Sequence, residues 1–383
     1  MVKGLFKLFC MFVVMASIIL FGFNITTFAQ PQETDVINEA LNASGGNQLE
    51  QTYSEEVKRF FEENNIKLDN PEGIMSLNPK EIIGGILTKV KEMSAAPIKL
   101  LMSLMAIIIL ASLIQSISDT TKSESLNKIF DIITILVCIL IFSDSVCECI
   151  EQASVALSEG AIFMLGFVPV FASIAAGSGN LTSAGVYNVI LVLVSEIAVQ
   201  LASGFLMPLL SLCLALSIVD SINPAISLSS LIEGIKKTVT WCLGLMMTIF
   251  VGLLSIQSII GNSADTLSVK TGKFMVSNFV PVVGGAISDA YTTLKGSFGL
   301  LKSGVGGVGI MVILIMVLPT IITIGLNRIV ISIASIGAEI FSVPGLAKLF
   351  KNISSVISIA FSIVISFSIM FIVSTALIMA ITT

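Results

Sequence analysis

Long apolar runs separated by short polar breaks occupy most of this chain after Pro97. Of its 383 residues, 55% are hydrophobic and only 12% are charged, and the mean hydropathy is +1.01. Soluble domains carry about 25% charged residues, and a helix needs about 20 apolar residues to cross a bilayer. The sequence therefore predicts an all-α polytopic membrane protein with about seven to ten transmembrane or re-entrant helices.

The first 96 residues have a different composition. Lys3 and Lys7 precede an apolar run, and Thr27-Phe28-Ala29 places small residues before a cleavage point, so residues 1–29 are predicted to be a signal peptide. An uncleaved signal anchor is the alternative. Residues 30–96 hold twelve acidic and six basic residues. They are predicted to form a short, acidic, helical extracytoplasmic segment.

Two helices are predicted within that segment. The first carries its apolar residues at helical spacing, namely Leu49, Tyr53, Val57, Phe60 and Phe61. The second begins near Asn78, where Pro79 suits the first helical position and Glu81 can complete a cap. Its apolar face predicts an interfacial helix that leads into the bilayer at Pro97. An ordinary packed amphipathic helix is the alternative.

The membrane domain, residues 97–383, contains a tandem echo. Gly160-Ala-Ile-Phe-Met-Leu-Gly-Phe-Val-Pro-Val returns 112 residues later as Gly272-Lys-Phe-Met-Val-Ser-Asn-Phe-Val-Pro-Val. The echo predicts a weak internal repeat, with repeat 1 at about 126–219, repeat 2 at about 236–327 and C-terminal helices at 328–383. Chance similarity between apolar, glycine-rich helices is the alternative.

Both echo segments, 160–177 and 272–290, read as short apolar stretches that a proline breaks. Paired broken segments mark the binding centre of many transporters. The long run 186–219 is predicted to be a tight helical hairpin or a broken helix. The candidate pathway or gating residues from these patterns, apart from the charged ones, are Phe167, Pro169, Pro208, Phe279, Pro281 and Pro319.

Three charged residues lie within or between apolar runs. Such groups are costly in lipid, so they are usually buried, paired or functional. Glu196 is a candidate pathway residue, with a structural hydrogen bond or a protonated carboxyl group as the alternative. Arg328 and Glu339 are candidate intramembrane charge partners. Arg328 could pair with Glu196, or it could extend to the interface from the end of a span.

The residue inventory excludes most catalytic chemistry. The chain has no histidine, and its six cysteines form no zinc-type spacing. The glycine-rich run Gly304–Gly309 lacks the Lys-Ser/Thr of a nucleotide loop and is predicted to serve helix packing. We therefore expect no catalytic, cofactor-binding or metal-binding residues, no basic surface for nucleic acid, and a non-enzymatic protein.

The lysine pattern predicts the orientation of the membrane domain. Lysines concentrate in cytoplasmic loops. The residues expected on the inner side are Lys122, Lys128, Lys236, Lys237, Lys348 and Lys351. Both repeats would then start on the same side and run parallel.

Over essentially its whole length the chain resembles the stage III sporulation protein AE family of endospore-forming bacteria. The resemblance rests on the signal-like start, the acidic segment and a multi-span domain with Phe167-Val-Pro-Val170 and Phe279-Val-Pro-Val282. It implies a multi-pass protein of the mother-cell membrane around the forespore. It also implies partners: a secretion-type ATPase, small membrane proteins, ring-forming proteins and a forespore membrane protein.

Taken together, these features give a leading hypothesis and two alternatives. The leading hypothesis is a non-enzymatic, permease-like subunit of a secretion-like channel complex that links mother cell and forespore during sporulation. The first alternative is a self-sufficient secondary transporter with Glu196 as its coupling group. The second is a structural scaffold for the complex.

Overall fold

The structure is a computed structural model that describes residues 49, 52–64, 66, 79–121, 124–222, 227–279 and 284–380. The described part is 95% helical and contains no strand, which confirms the predicted all-α fold. Its helices are α1 (Glu55–Glu63), α2 (Pro79–Met93), α3 (Ala95–Thr121), α4 (Glu124–Gly177), α5 (Leu181–Leu201), a π-helical turn (Ala202–Leu206), α6 (Met207–Ile222), α7 (Ser229–Phe279), α8 (Gly284–Ile340) and α9 (Pro344–Ala380). The predicted signal peptide at 1–29 lies outside the described residues.

Six helical runs of the described chain are long and apolar enough to cross a membrane. Seven to ten were expected, because polar breaks in the sequence read as loops. Several of those breaks are helical instead. For example, α8 continues through Arg328, where the predicted C-terminal helices begin, and α4 runs through the acidic residues of 144–159 into the first echo segment.

The antiparallel hairpin of α8 and α9 forms the centre of the bundle. In its most apolar windows, 72% of the residues are buried, against 22–28% in the other four spanning runs. Ser332 and Ser354 hydrogen-bond across it at 3.1 Å. The turn between the two helices places Ser342 in the left-handed region at φ 59°, and the N–H of Val343 donates to the carbonyl of Ala338. This pattern is a Schellman-type helix end, and Pro344 then starts α9.

A second hairpin, α4 followed by α5, the π turn and α6, packs against this centre. Helix α4 is continuous through Pro169, so the prediction that this proline breaks the segment is wrong. The hydroxyl of Ser173 donates to the Pro169 carbonyl at 2.9 Å. The predicted hairpin or break within 186–219 is also wrong, because the chain stays helical from Leu181 to Ile222 with one π-helical turn.

One end of the bundle, which we call the basic end, is marked by Lys348 of α9 and its ion pair with α6. The buried Asp220 near the end of α6 forms an ion pair with Lys348 of α9 at 2.8 Å. It also accepts hydrogen bonds from the N–H of Leu228 at 2.8 Å and the hydroxyl of Ser229 at 3.2 Å, which together cap the start of α7. The residues from Ser229 to Lys237 belong to α7, although their polar composition favours a connector between helices.

Helix α4 starts at this same end. A Cβ atom added to Gly345, just after the α8–α9 turn, would lie 3.3 Å from Ile135 near the start of α4. Both α4 and α7 therefore begin at the basic end, which agrees with the parallel arrangement that the lysines predict.

The segment around α1 packs onto the first echo segment. Five of its apolar side chains are buried: Leu49, Tyr53, Val57, Phe61 and Ile66. The ring of Tyr53 lies 6.2 Å from that of Phe163 in α4, and Lys89 of α2 forms an ion pair with Glu56 of α1 at 3.0 Å. On the solvent side of α1, the Lys58 ammonium group at 2.8 Å lowers the pKa of Glu55. The predicted helix start at Pro79 is confirmed.

Candidate functional site

An acidic face lies in the middle of α4. The sequence places Asp144, Glu148, Glu151 and Glu159 in what reads as an external connector, whereas the structure puts them within one unbroken helix. All four are exposed, while Cys149, Ala153 and Leu157 on the opposite face are buried. The three-to-four-residue alternation of acidic and buried positions is the signal that could have identified this amphipathic helix.

Two open grooves flank this acidic face and share Glu151. The first groove, about 270 Å³, lies between α4 and α8. Its lining consists of Glu148, Glu151, Gln152, Val155, Ala156, Glu159 and Thr320. No lysine or arginine lines either groove, so the field of the carboxylates in this described region is not locally neutralised.

The second groove, about 530 Å³, separates α4 from the π turn and α6. Glu151 is the only charged residue in its lining. The remaining lining residues are Cys147, Ile150, Ser154, Ser203, Met207, Pro208, Ser211, Leu214, Ala215 and Ile218. We call this space the Glu151 groove. It combines one carboxylate, three hydroxyl groups, an exposed thiol at Cys147 and an apolar floor.

The π-helical turn shapes one wall of the Glu151 groove. Met207 donates its N–H to the carbonyl of Ala202, one residue further back than in an α-helix, and Pro208 then has no N–H to donate to Gly204. The Oγ atom of Ser203, within this turn, is buried and has no hydrogen-bond partner. Irregular turns of this kind recur at functional sites in helices.

The groove lies at bilayer depth when the basic end is taken as one membrane surface. Ser211 is nine residues from Asp220, or about 14 Å at the helical rise, and Ser203 is seventeen residues away, or about 26 Å. A hydrocarbon core is about 30 Å thick. The Glu151 carboxylate, which faces these two serines, therefore falls within that thickness.

Glu196, the sequence candidate for a pathway residue, lies elsewhere. It is exposed on α5 and accepts a hydrogen bond from Gln200 at 2.8 Å. It lines neither groove. Along the helix it lies 24 residues, or about 36 Å, from Asp220. It therefore lies outside a hydrocarbon core, about 30 Å thick, that starts at the basic end.

The structure does not pair Arg328 with Glu196. The Nε atom of Arg328 donates to the hydroxyl of Ser358 at 2.6 Å, inside the α8–α9 interface. This position is mid-helix, so the expected location at the end of a span is wrong. Glu339 is exposed one residue before the end of α8.

The first echo segment belongs to the packed core. Phe167 is fully buried between Phe163 and Phe171, with ring centroids 5.2 and 5.3 Å away. Gly309 of α8 faces it so closely that an added Cβ would lie 2.6 Å from Cε2 of Phe167. The predicted packing role of the glycine-rich run is confirmed here. Pro169 is exposed on the outer face of α4.

The remaining candidates divide between the grooves and the rest of the chain. Pro208 lines the Glu151 groove. Pro319 lies inside α8, next to Thr320 of the first groove. The backbone of α7 ends at Phe279, and Pro281 lies outside the described residues. A helix continues through the first echo segment, whereas part of the second lies outside the described residues.

Comparison with known proteins identifies the family. A family model described as stage III sporulation protein AE matches residues 64–382. The chain belongs to this family. Among curated proteins, stage III sporulation protein AE of Bacillus subtilis (strain 168) is 26% identical over 242 residues, which cover 63% of this chain and 61% of that relative. No solved structure matches the chain. The matched span of the stage III sporulation protein AE family includes all six apolar helical runs and both grooves.

Proposed function

We propose that this protein is a non-enzymatic, permease-like membrane subunit of a secretion-like channel complex that joins mother cell and forespore. Membership of a stage III sporulation family supports the sporulation role, and six apolar helical runs support a multi-pass membrane location. The conduit role rests on the Glu151 groove.

The observation that carries the conduit role is a carboxylate beside an open groove at bilayer depth. A charged side chain within a bilayer core costs several kcal/mol unless a cavity or a partner compensates it, so it usually marks a pathway. The Glu151 groove supplies such a cavity, of about 530 Å³. Irregular backbone at that depth is tolerated where it lines a cavity, which accounts for the π turn in the groove wall.

The basic end of the bundle faces the mother-cell cytoplasm in this proposal, because lysines favour the cytoplasmic side. The packed segment around α1 then faces the space between the two membranes. A separate secretion-type ATPase would act at the cytoplasmic end. The small membrane proteins, the ring-forming proteins and the forespore membrane partner would contact the remaining surfaces.

Two other functions make different predictions about single carboxylates. A self-sufficient secondary transporter with Glu196 as its coupling group requires that residue to reach the transport path, but Glu196 lies on the outer face of α5. A scaffold requires neither carboxylate. The conduit requires Glu151 alone.

The experiment compares Glu151→Gln with Glu196→Gln in sporulating cells that depend on this gene. Both residues are exposed, helical carboxylates, so the two changes are matched. We expect Glu151→Gln to reduce late forespore reporter activity and spore yield at least tenfold, with normal amounts of protein in the membrane, while Glu196→Gln has no effect.

Each other outcome supports a different function. Loss of spores with Glu196→Gln alone would support the secondary transporter and contradict the conduit role of Glu151. Normal sporulation with both variants would support the scaffold.

A further inference from the structure

We propose that the Glu151 groove binds a small organic cation, an amine or guanidinium group carried on an apolar body. This inference deepens the proposed function, because it gives the conduit a class of cargo. It rests on the charge, the size and the hydrogen-bonding capacity of the groove, and each of these selects against other ligands.

The charge of the groove selects a cation. Glu151 is its only charged lining residue, and the adjoining groove adds Glu148 and Glu159 without a lysine or arginine. Charges interact far more strongly in a low-dielectric surrounding than in water. A carboxylate at bilayer depth therefore favours a cationic partner and disfavours an anionic one.

The size and floor of the groove select an organic ligand. Small-molecule sites typically measure about 300–1,000 Å³ and are mostly apolar, and this groove of about 530 Å³ falls within that range. Met207, Leu214 and Ile218 supply an apolar floor. A bare metal ion would leave most of the space empty.

The ligand set also argues against a divalent cation. Ca²⁺ takes six to eight oxygen ligands, often from several carboxylates, whereas Glu151 is the single carboxylate of the groove. No group of three or more potential metal-ligating side chains occurs among the described residues.

The hydroxyl groups of the groove can orient an ammonium or guanidinium group. Ser203 is the informative one, because its buried Oγ atom lacks a hydrogen-bond partner. A buried polar atom without a partner is unfavourable, and rotation of the Ser203 side chain toward the groove would let its oxygen accept a hydrogen bond from the N–H of a bound ligand. Ser211 already donates to the carbonyl of Met207 at 3.2 Å, but its oxygen can still accept a hydrogen bond.

Cys147 provides a native reporter for binding. It is exposed and lines the groove one helical turn before Glu151, whereas Cys138, Cys149 and Cys213 are buried. Replacing Cys10 and Cys242 with serine leaves Cys147 as the accessible thiol of the full-length chain. A ligand in the groove should then slow the reaction of Cys147 with a small neutral reagent such as methyl methanethiosulfonate.

The test uses the purified full-length protein in nanodiscs of uncharged lipid. The probes are n-butylammonium and agmatine, with n-butanol as a neutral probe of similar shape and sodium chloride at equal ionic strength. We expect the two cations to slow Cys147 modification at least fivefold under conditions in which butanol and salt have no effect. Glu151→Gln should abolish the protection, Ser203→Ala should weaken it severalfold, and Glu196→Gln should leave it unchanged.

Four results would overturn the inference: no protection by the two cations, equal protection by butanol or by sodium chloride, protection that persists in Glu151→Gln, or a Cys147 that does not react at all. The outcome is independent of the sporulation assay. Protection by amines together with normal sporulation of Glu151→Gln would keep this site and contradict the conduit. Absence of protection together with a sporulation defect would contradict this binding site and keep the conduit role.

Discussion

At the scale of single residues, the depth and surroundings of a carboxylate decide whether it can serve a pathway. The sequence singles out Glu196 as a candidate pathway residue, because it is a charged residue within an apolar run. The structure shows Glu196 on an outer helix face and Glu151 beside a groove. Depth along a helix can be counted from the sequence, whereas the neighbours across the bundle depend on tertiary packing.

Asp220 ties three helices together at the basic end. Because Asp220 is buried and accepts from Lys348, Leu228 and Ser229, Asp220→Ala removes an ion pair and two hydrogen bonds to a charged group. We expect it to lower the free energy of unfolding by about 1–3 kcal/mol, measured by denaturant titration in detergent. Glu233→Ala is the control, since its ion pair with Lys237 is exposed and is worth at most about 1 kcal/mol. Equal effects of the two changes would contradict this assignment.

Gly309 lets α8 approach the aromatic column of α4. Its Cα faces the ring of the buried Phe167, which cannot move without disturbing Phe163 and Phe171. We expect Gly309→Ala to destabilise the protein by about 1–3 kcal/mol through overpacking, detected as a lower Tm. Gly185→Ala, where an added Cβ has nothing within 4 Å, should be neutral or stabilising by up to about 1 kcal/mol. A neutral Gly309→Ala would show that the two helices are not in close contact.

At the scale of elements, the α4–α5 and α8–α9 turns share the same backbone conformation and hydrogen bond but use different residues. Gly179 follows α4 at φ 93° and Ser342 follows α8 at φ 59°. In each turn the next N–H donates to a carbonyl five residues back, from Asn180 to Ala175 and from Val343 to Ala338. Glycine adopts a positive φ without strain, whereas serine does not.

Ser342→Gly should therefore stabilise the α8–α9 turn. We expect a gain of up to about 1 kcal/mol in the free energy of unfolding, reduced by the greater flexibility of glycine in the unfolded chain. Gly179→Ala should have the opposite sign, because its φ of 93° is unfavourable for a residue with a Cβ atom. Thermal unfolding of both variants in the same detergent checks the pair. A lower Tm for Ser342→Gly would contradict the proposed strain.

Element boundaries were less predictable than element type. The long apolar runs after Pro97 predict helices, and the structure contains helices there, such as α3 and α9. Pro169 and the acidic residues of α4 predicted breaks that do not occur, because packing of the opposite face keeps the helix continuous there. The π turn before Pro208 has no signature in local composition, since it depends on how α6 meets α4.

At the scale of the whole molecule, the bundle has two distinct ends. One end holds Asp220, Lys348 and the starts of α4 and α7. The segment around α1 instead packs on the far part of α4, where Tyr53 contacts Phe163. The lysine pattern predicted this polarity, because charge distribution along a chain carries topology. It could not predict that α8 and α9 form the centre, since all the apolar runs have similar composition.

The central claim is that an aqueous path reaches Glu151 at bilayer depth, and thiol accessibility tests it most directly. Cys147 and Cys149 lie two residues apart on α4, the first exposed in the Glu151 groove and the second buried. The measurement compares the rates at which a water-soluble, membrane-impermeant thiol reagent modifies variants that retain only Cys147 or only Cys149, in membranes from sporulating cells. Rapid modification of Cys147, at least tenfold faster than that of Cys149, is the predicted result. Equal protection of both thiols would mean that lipid or protein fills the groove, and it would contradict the claim.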